Sequence, residues 1–260
     1  MIELTASVVA AALSSGAVVG LFLAIFGGGG SVLAAPLLIY LVGVRDPHVA
    51  IGTSAAAVAA NAVFNLMGHW RSGRVRWPCA SVFAFSGLAG SLVGSTIAQL
   101  IDGRALLFAF ALAMAAIALS MLRPNAETGS PDVRIDWLKA RRLAPLGLAT
   151  GFAAGFFGIG GGFLIVPGLM LATGMTLANA SASSLVSVAV FGAATSSNYA
   201  VSGLVDWRLV VLLLIGGIAG GAVGLKIAHQ MAARASLARK LFAALVLCVA
   251  FYVGARALVG

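Results

Sequence analysis

Hydrophobic residues fill runs of about twenty positions along the whole chain, a length that as helix spans the roughly 30 Å hydrocarbon core of a bilayer. Polar residues fall between the runs rather than alternating within them. The pattern predicts helical segments over 5–26, 48–69, 78–101 and 104–122, and again over 143–157, 178–199, 208–230 and 238–259. Two stretches interrupt it. Gly27-Gly28-Gly29-Gly30-Ser31 leads to Pro36, and Gly158-Ile159-Gly160-Gly161-Gly162 leads to Pro167. Each glycine costs a helix about 1 kcal/mol relative to Ala, so a helix is expected to break at both places. The apolar pieces that follow, 31–43 and 162–174, are too short to span, which predicts a broken or re-entrant hairpin at each. Within hydrocarbon such a break persists only where protein or a water-filled cavity satisfies the freed backbone groups.

The second half of the chain repeats the first. At an offset of 131, Gly20, Phe26, Gly27, Pro36 and Gly43 match Gly151, Phe157, Gly158, Pro167 and Gly174. At 130, Ser54, Ser72-Gly73, Trp77, Gly87, Gly90 and Gly94 match Ser184, Ser202-Gly203, Trp207, Gly217, Gly220 and Gly224. This divides the chain into an N-terminal repeat (1–122), a polar basic linker (123–142) and a C-terminal repeat (143–260). The loop with Arg71, Arg74 and Arg76 aligns with one, Ser202 to Trp207, whose only charge is Asp206. Equivalent loops of opposite charge belong on opposite membrane faces, so the repeats are expected to be inverted. The expected fold is therefore an all-α integral membrane protein of two inverted repeats, each a glycine-broken short-helix hairpin plus three transmembrane helices. The small-residue faces Gly87, Gly90, Ser91, Gly94 and Gly216, Gly217, Gly220, Gly221, Gly224 are expected to let helix backbones approach closely.

Composition agrees with that reading. The chain is 61% hydrophobic and 9% charged, against about 25% charged in soluble domains. Its net charge of +9 would suggest nucleic acid in a soluble protein. Here most of the Lys and Arg fall inside when the central loop is placed in the cytoplasm, as the positive-inside rule requires, so no nucleic-acid partner is expected. Trp70, Trp77 and Trp207 read as interfacial anchors. Cys79 and Cys248 have no metal-ligand spacing and give no disulfide framework.

Candidate chemistry is sparse. All seven carboxylates and all three histidines, His48, His69 and His229, sit at termini, loops or helix ends. No nucleophile with an adjacent base, metal cluster or nucleotide motif emerges, so neither an enzyme nor a cofactor is expected. What remains is backbone and neutral polar groups. Helix N-termini expected at Ser31 and Gly162 would present free N–H groups and about half a positive charge each, which suits a small anion. Converging near the midplane from inverted hairpins, they would form the site of an inverted-repeat transporter. The helix after each hairpin would line it. Thr53, Asn61 and Asn65 share one helical face, as do Ser183 and Ser187. The candidate substrate-binding set is Gly28, Gly29, Gly30, Ser31, Thr53, Ser54, Asn61, Gly160, Gly161, Gly162, Ser183, Ser184 and Ser187.

The glycine break with downstream Pro (Gly27 to Pro36), Gly52-Thr53-Ser54 and the second break (Gly158 to Pro167) resemble the TauE/SafE family of sulfite and sulfonate exporters. The resemblance covers nearly the whole chain. It implies a multi-pass permease of the bacterial inner membrane for sulfite or an organosulfonate, surrounded by lipid, with a homo-oligomer left open. Efflux by alternating access is the expected mode, since an inside-negative potential drives a monoanion outward. An anion channel and a non-transporting membrane scaffold are the alternatives.

Overall fold

The computed structural model of the chain describes residues 4–122, 129, 130, 133, 136–158, 162–231 and 235–259. Gly160, Gly161 and most of the linker, including Arg123, Glu127, Asp132 and Arg134, lie outside them, as does Arg234. Among the described residues the protein is all-helical. α1 (Ala6–Phe26) is followed by a 3₁₀ turn (Gly27–Leu33), a short α2 (Ala34–Leu37) and a π segment (Leu38–Val42). Then come α3 (Pro47–Arg71), α4 (Trp77–Ala98), α5 (Gly103–Leu122), α6 (Trp137–Phe157), α7 (Gly162–Thr173), α8 (Leu177–Val201), α9 (Trp207–Met231) and α10 (Ala235–Val259). Among the described residues, six helical stretches are long and apolar enough to cross a membrane. α6 starts inside the stretch read as linker, because Asp136 caps it by accepting from Lys139 N.

Side-chain caps and proline start the helices where the apolar runs begin. Thr5 accepts from Val8 N before α1, and Asp46 accepts from His48 N (2.8 Å) before α3, with Pro47 at the first helical position. Phe85, Leu92, Val93, Val211 and Ile215 stay exposed on the outer faces of α4 and α9, as lipid-facing positions would. Trp70, Trp77 and Trp207 are exposed at helix ends, the first two edge to face 5.8 Å apart.

Most helix packing crosses between the halves: α1 lies on α9, α4 on α6, α3 on α8 and α5 on α10. Glycine decides the two closest crossings. Gly20 meets the Gly217 backbone, and Gly151 meets the Gly87 backbone, with no room for a Cβ at either place. Both pairs run parallel, as Gly16 lies at Leu213 and Gly224 at Leu21, Gly147 at Phe83 and Gly94 at Phe152. The central pair is antiparallel, with Gly52 at Tyr199 and Gly192 at Ala55 and Ala59. The small-residue faces are therefore packing surfaces, and their partners lie in the opposite half.

These contacts fix two ends of the bundle. Asp206 N, at the start of α9, bonds Thr53 near the start of α3; Arg76 N, at the start of α4, bonds Ser183 near the start of α8. We call them the Asp46 end and the Arg76 end. The first chain break turns back on α1, with Gly30 against Phe22 and Leu23 and Leu38 clustered with Ala12, so that hairpin starts and finishes at the Asp46 end. α7 turns back on α6, with Gly168 near Thr150 and Met175 clustered with Leu143, and that hairpin starts and finishes at the Arg76 end. Arg71, Arg74, Arg76, Lys139, Arg141, Arg142, Lys226 and Lys240 gather at the Arg76 end, whereas the Asp46 end mixes Arg45, Arg104, Arg208 and Arg256 with Asp46, Asp102 and Asp206.

Candidate functional site

Gly27 ends α1 at φ 61°, in the region that favours glycine, and a Cβ there would strike the Ser181 carbonyl and the Ser184 hydroxyl. Protein satisfies both backbone groups of Gly28. Gly28 N donates to Ser184 Oγ (3.0 Å), Ser184 Oγ donates to Ser181 O (2.7 Å), and Ser31 Oγ donates to Gly28 O (2.7 Å). Gly28, Gly29, Gly30 and Ser31 are all buried. Beside them Ser183 Oγ accepts from Arg76 N at 2.9 Å. One expectation is corrected: no helix begins at Ser31. Consecutive glycines, free of side chains, wind a 3₁₀ turn that starts at Gly27 and packs onto α1, so Ser31 lies inside the turn and closes it.

The second break follows the same plan from the other end. Gly158 has φ 66°, lies against the Ile51 side chain, and donates to Gly155 O (3.2 Å). Ser54 Oγ donates to Ile51 O (2.9 Å) as Ser184 does to Ser181, and Thr53 Oγ1 accepts from Asp206 N (2.9 Å) as Ser183 does from Arg76. Residues 51, 53, 54 and 76 are related to 181, 183, 184 and 206 by the offset of 130 found in the sequence. Gly162 opens α7, while Gly160 and Gly161 lie outside the described residues. Each break thus rests on the central helix of the other half.

The breaks do not converge near the midplane as the sequence suggested. Gly158 touches Ile51, and Ala24, three residues before Gly27, is bonded by His69. Eighteen positions of α3 separate these two, about 27 Å at helical rise. The reason is length: α1 and α6 each have 21 residues, which carries them about 31 Å, nearly through the hydrocarbon, before the glycines turn them back.

Between the ends lie Asn61 and Ser187. Asn61 Nδ2 donates to Ala57 O (3.0 Å) and across to Leu213 O of α9 (3.4 Å), with its carboxamide flat on Gly217. One turn on, Asn65 Nδ2 donates to Asn61 O (3.0 Å) and its carboxamide faces Gly221. Both Oδ1 atoms and Ser187 Oγ are buried without a hydrogen-bond partner. The matching seam between α8 and α4 is different. There Ser91 Oγ donates to Phe191 O (3.1 Å) and pairs with Thr195 Oγ1 (3.0 Å), and Asn198 Nδ2 donates to Ser95 Oγ (2.8 Å) and Thr96 Oγ1 (2.9 Å).

The sequence model of the family described as "Sulfite exporter TauE/SafE" matches residues 12–253, which takes in both hairpins and every candidate residue. The chain belongs to the TauE/SafE family. A "Probable membrane transporter protein" of Xylella fastidiosa (strain 9a5c) is 47% identical over 246 residues, covering 93% of each chain. "Probable membrane transporter protein YdhB" of Bacillus subtilis (strain 168) is 26% identical over 82% of this chain and 87% of its own. No solved structure matches. The protein is accordingly a multi-pass membrane transporter of the TauE/SafE family, a family of permeases rather than of enzymes.

Within this TauE/SafE chain, one residue that sequence reasoning placed at a helix end lies there and is enclosed. His69 is 4% exposed, and its ring bonds the Ala24 carbonyl through Nε2 at 3.0 Å. The available signal was its spacing of four from Asn65 and eight from Asn61, which puts all three on one face of α3. Tyr199 holds the matching place in the second half, fully buried, with its hydroxyl lacking a partner in the structure.

Proposed function

We propose that this transporter moves a small sulfur-containing anion, sulfite or an organosulfonate, out across the bacterial inner membrane by alternating access, with the central loop in the cytoplasm. The observation that carries the reading is the reciprocal seating of the breaks. Each glycine turn lies against the hydroxyl-bearing start of the other half's central helix, at opposite ends of the bundle. This supports two inverted repeats, 1–122 and 143–260 joined by the linker 123–142, and two half-sites. One comprises Gly28, Gly29, Gly30, Ser31, Ser183 and Ser184, and the other Thr53, Ser54, Gly160, Gly161 and Gly162, with Asn61 and Ser187 on the path between. Backbone N–H groups at the glycines and serine hydroxyls are donors of a kind that suits an oxyanion, which would take the place of the bonds from Gly28 N to Ser184 and from Ser184 to Ser181. Sulfite as the substrate class is supported by the description of the matching family.

Direction follows from the field. An inside-negative membrane potential assists exit of a monoanion by about 2.3 kcal/mol per 100 mV. Concentration of Arg and Lys at the Arg76 end supports placing that end in the cytoplasm. The test is release of sulfite from loaded proteoliposomes under an imposed interior-negative potential. Release that scales with the potential and drops at least fivefold in Ser184→Ala is the expected result. Absence of sulfite release by the wild-type chain, with thiosulfate or taurine released instead, would overturn the substrate assignment, and full release in Ser184→Ala would overturn the half-site.

A further inference from the structure

Ionisable side chains enclosed within a membrane bundle are costly and mark sites of ion or proton movement. His69 is such a group, and two helix ends meet at its ring. The carbonyl it bonds belongs to Ala24, two residues before α1 ends at Phe26, and so is among the four at a helix C-terminus that have no partner within the helix. A carbonyl only accepts, so Nε2 carries the hydrogen. His69 also stands in the last turn of α3. Two helix C-termini therefore bring partial negative charge beside one imidazole, with which a proton bound there would interact. On the same face of α3, one and two turns back, the unpartnered buried oxygens of Asn65 and Asn61 extend a polar file from the ring to the middle of the bundle.

The matching positions of the second half hold Tyr199, Thr195 and Phe191. A phenol ordinarily ionises near pH 10, whereas imidazole changes charge between about pH 5 and 8. We infer that His69 is a proton-binding site, and that protonation there tightens the cap on α1 and with it the Gly27 hairpin, so that only one of the two hairpins responds to pH. Among the described side chains, the charged groups on the elements around the ring are Arg71, Arg74 and Arg76 at the end of α3 and the turn after it, and the exposed Lys226 on α9, all of them cationic. Described residues of α1 and the first two turns of α8 bring no titratable side chain. The consequence for transport, that a pH gradient acts on anion release, rests on the function proposed above; the proton site itself does not.

Hydrogen–deuterium exchange over Gly27–Leu33, in nanodiscs at pH 5.5 and 8.0 and corrected for intrinsic chemistry, tests the inference without any substrate. In the wild-type chain protection should be about fivefold greater at pH 5.5. His69→Gln, which keeps an N–H donor for Ala24 but cannot be protonated, should show equal protection at both. A chain with His48→Gln and His229→Gln leaves His69 as its sole imidazole, and its ¹³C resonance should titrate between pH 5 and 8. Protection independent of pH in the wild type, a pH response kept in His69→Gln, or a His69 ring that does not titrate in this range would each overturn the inference. Sulfite enters none of these readouts, so a failed transport assay leaves them standing.

Discussion

The seam of α3 with α9 and the seam of α8 with α4 occupy matching places in the two halves, share glycine-lined backbones and differ in chemistry. Along α8 and α4 the polar groups answer one another: Ser91 with Thr195, Asn198 with Ser95 and Thr96, Ser202 with Gln99. Along α3 and α9 the glycines Gly217 and Gly221 offer no side chain, and the oxygens of Asn61 and Asn65 stay buried and unanswered. A buried acceptor without a partner costs about 1–3 kcal/mol. Packing does not require that cost, because Phe191 fills the place of Asn61 in the other half with an apolar ring. One seam is thus a brace, and the other keeps acceptors that the protein itself does not answer. The duplication supplies a common frame whose two matching seams carry different polar chemistry.

The largest effect should come from breaking the frame that both halves share. Leu at Gly217 or at Gly151 drives a side chain into facing backbone, and both variants should fail to yield folded protein in detergent by size-exclusion chromatography. If one were tolerated, the two crossings would not be equivalent. Next, Ser184→Ala leaves Gly28 N–H buried without an acceptor and should lower stability by about 1–3 kcal/mol, read as a fall in Tm. Thr195→Val removes one hydroxyl pair from the brace and should lower stability by about 0.6–1.7 kcal/mol, the range for such bonds in membranes. Asn61→Leu should change Tm least, or raise it, since it removes an unanswered oxygen from the core.

Much of the fold was legible because its signals are local. Apolar runs bounded by Asp46-Pro47, Trp77-Pro78 and Thr176 gave helices whose ends fall within a few residues of the observed ones, and the offset pairs found in the sequence recur as paired contacts in space. The partners of the glycine faces were not legible, because a strip of small residues says that a backbone comes close and not which one. Ser31 was misplaced as a helix start for a related reason. Glycine propensity predicts a break, but whether the chain then winds as α or 3₁₀ depends on the α1 surface under Gly30. His69 escaped notice because its place at a helix end gives no sign of burial, and the carbonyl it bonds, that of Ala24, lies 45 residues away in the chain.

The most direct test of the difference between the seams is sulfite efflux measured side by side in proteoliposomes containing Asn61→Leu or Thr195→Val at equal protein content and under the same interior-negative potential. Asn61→Leu should lose at least nine-tenths of wild-type efflux while melting no lower than wild type, and Thr195→Val should keep at least half of the efflux while melting lower. Wild-type efflux in Asn61→Leu, or its loss in Thr195→Val alone, would contradict a place for Asn61 on the transport path.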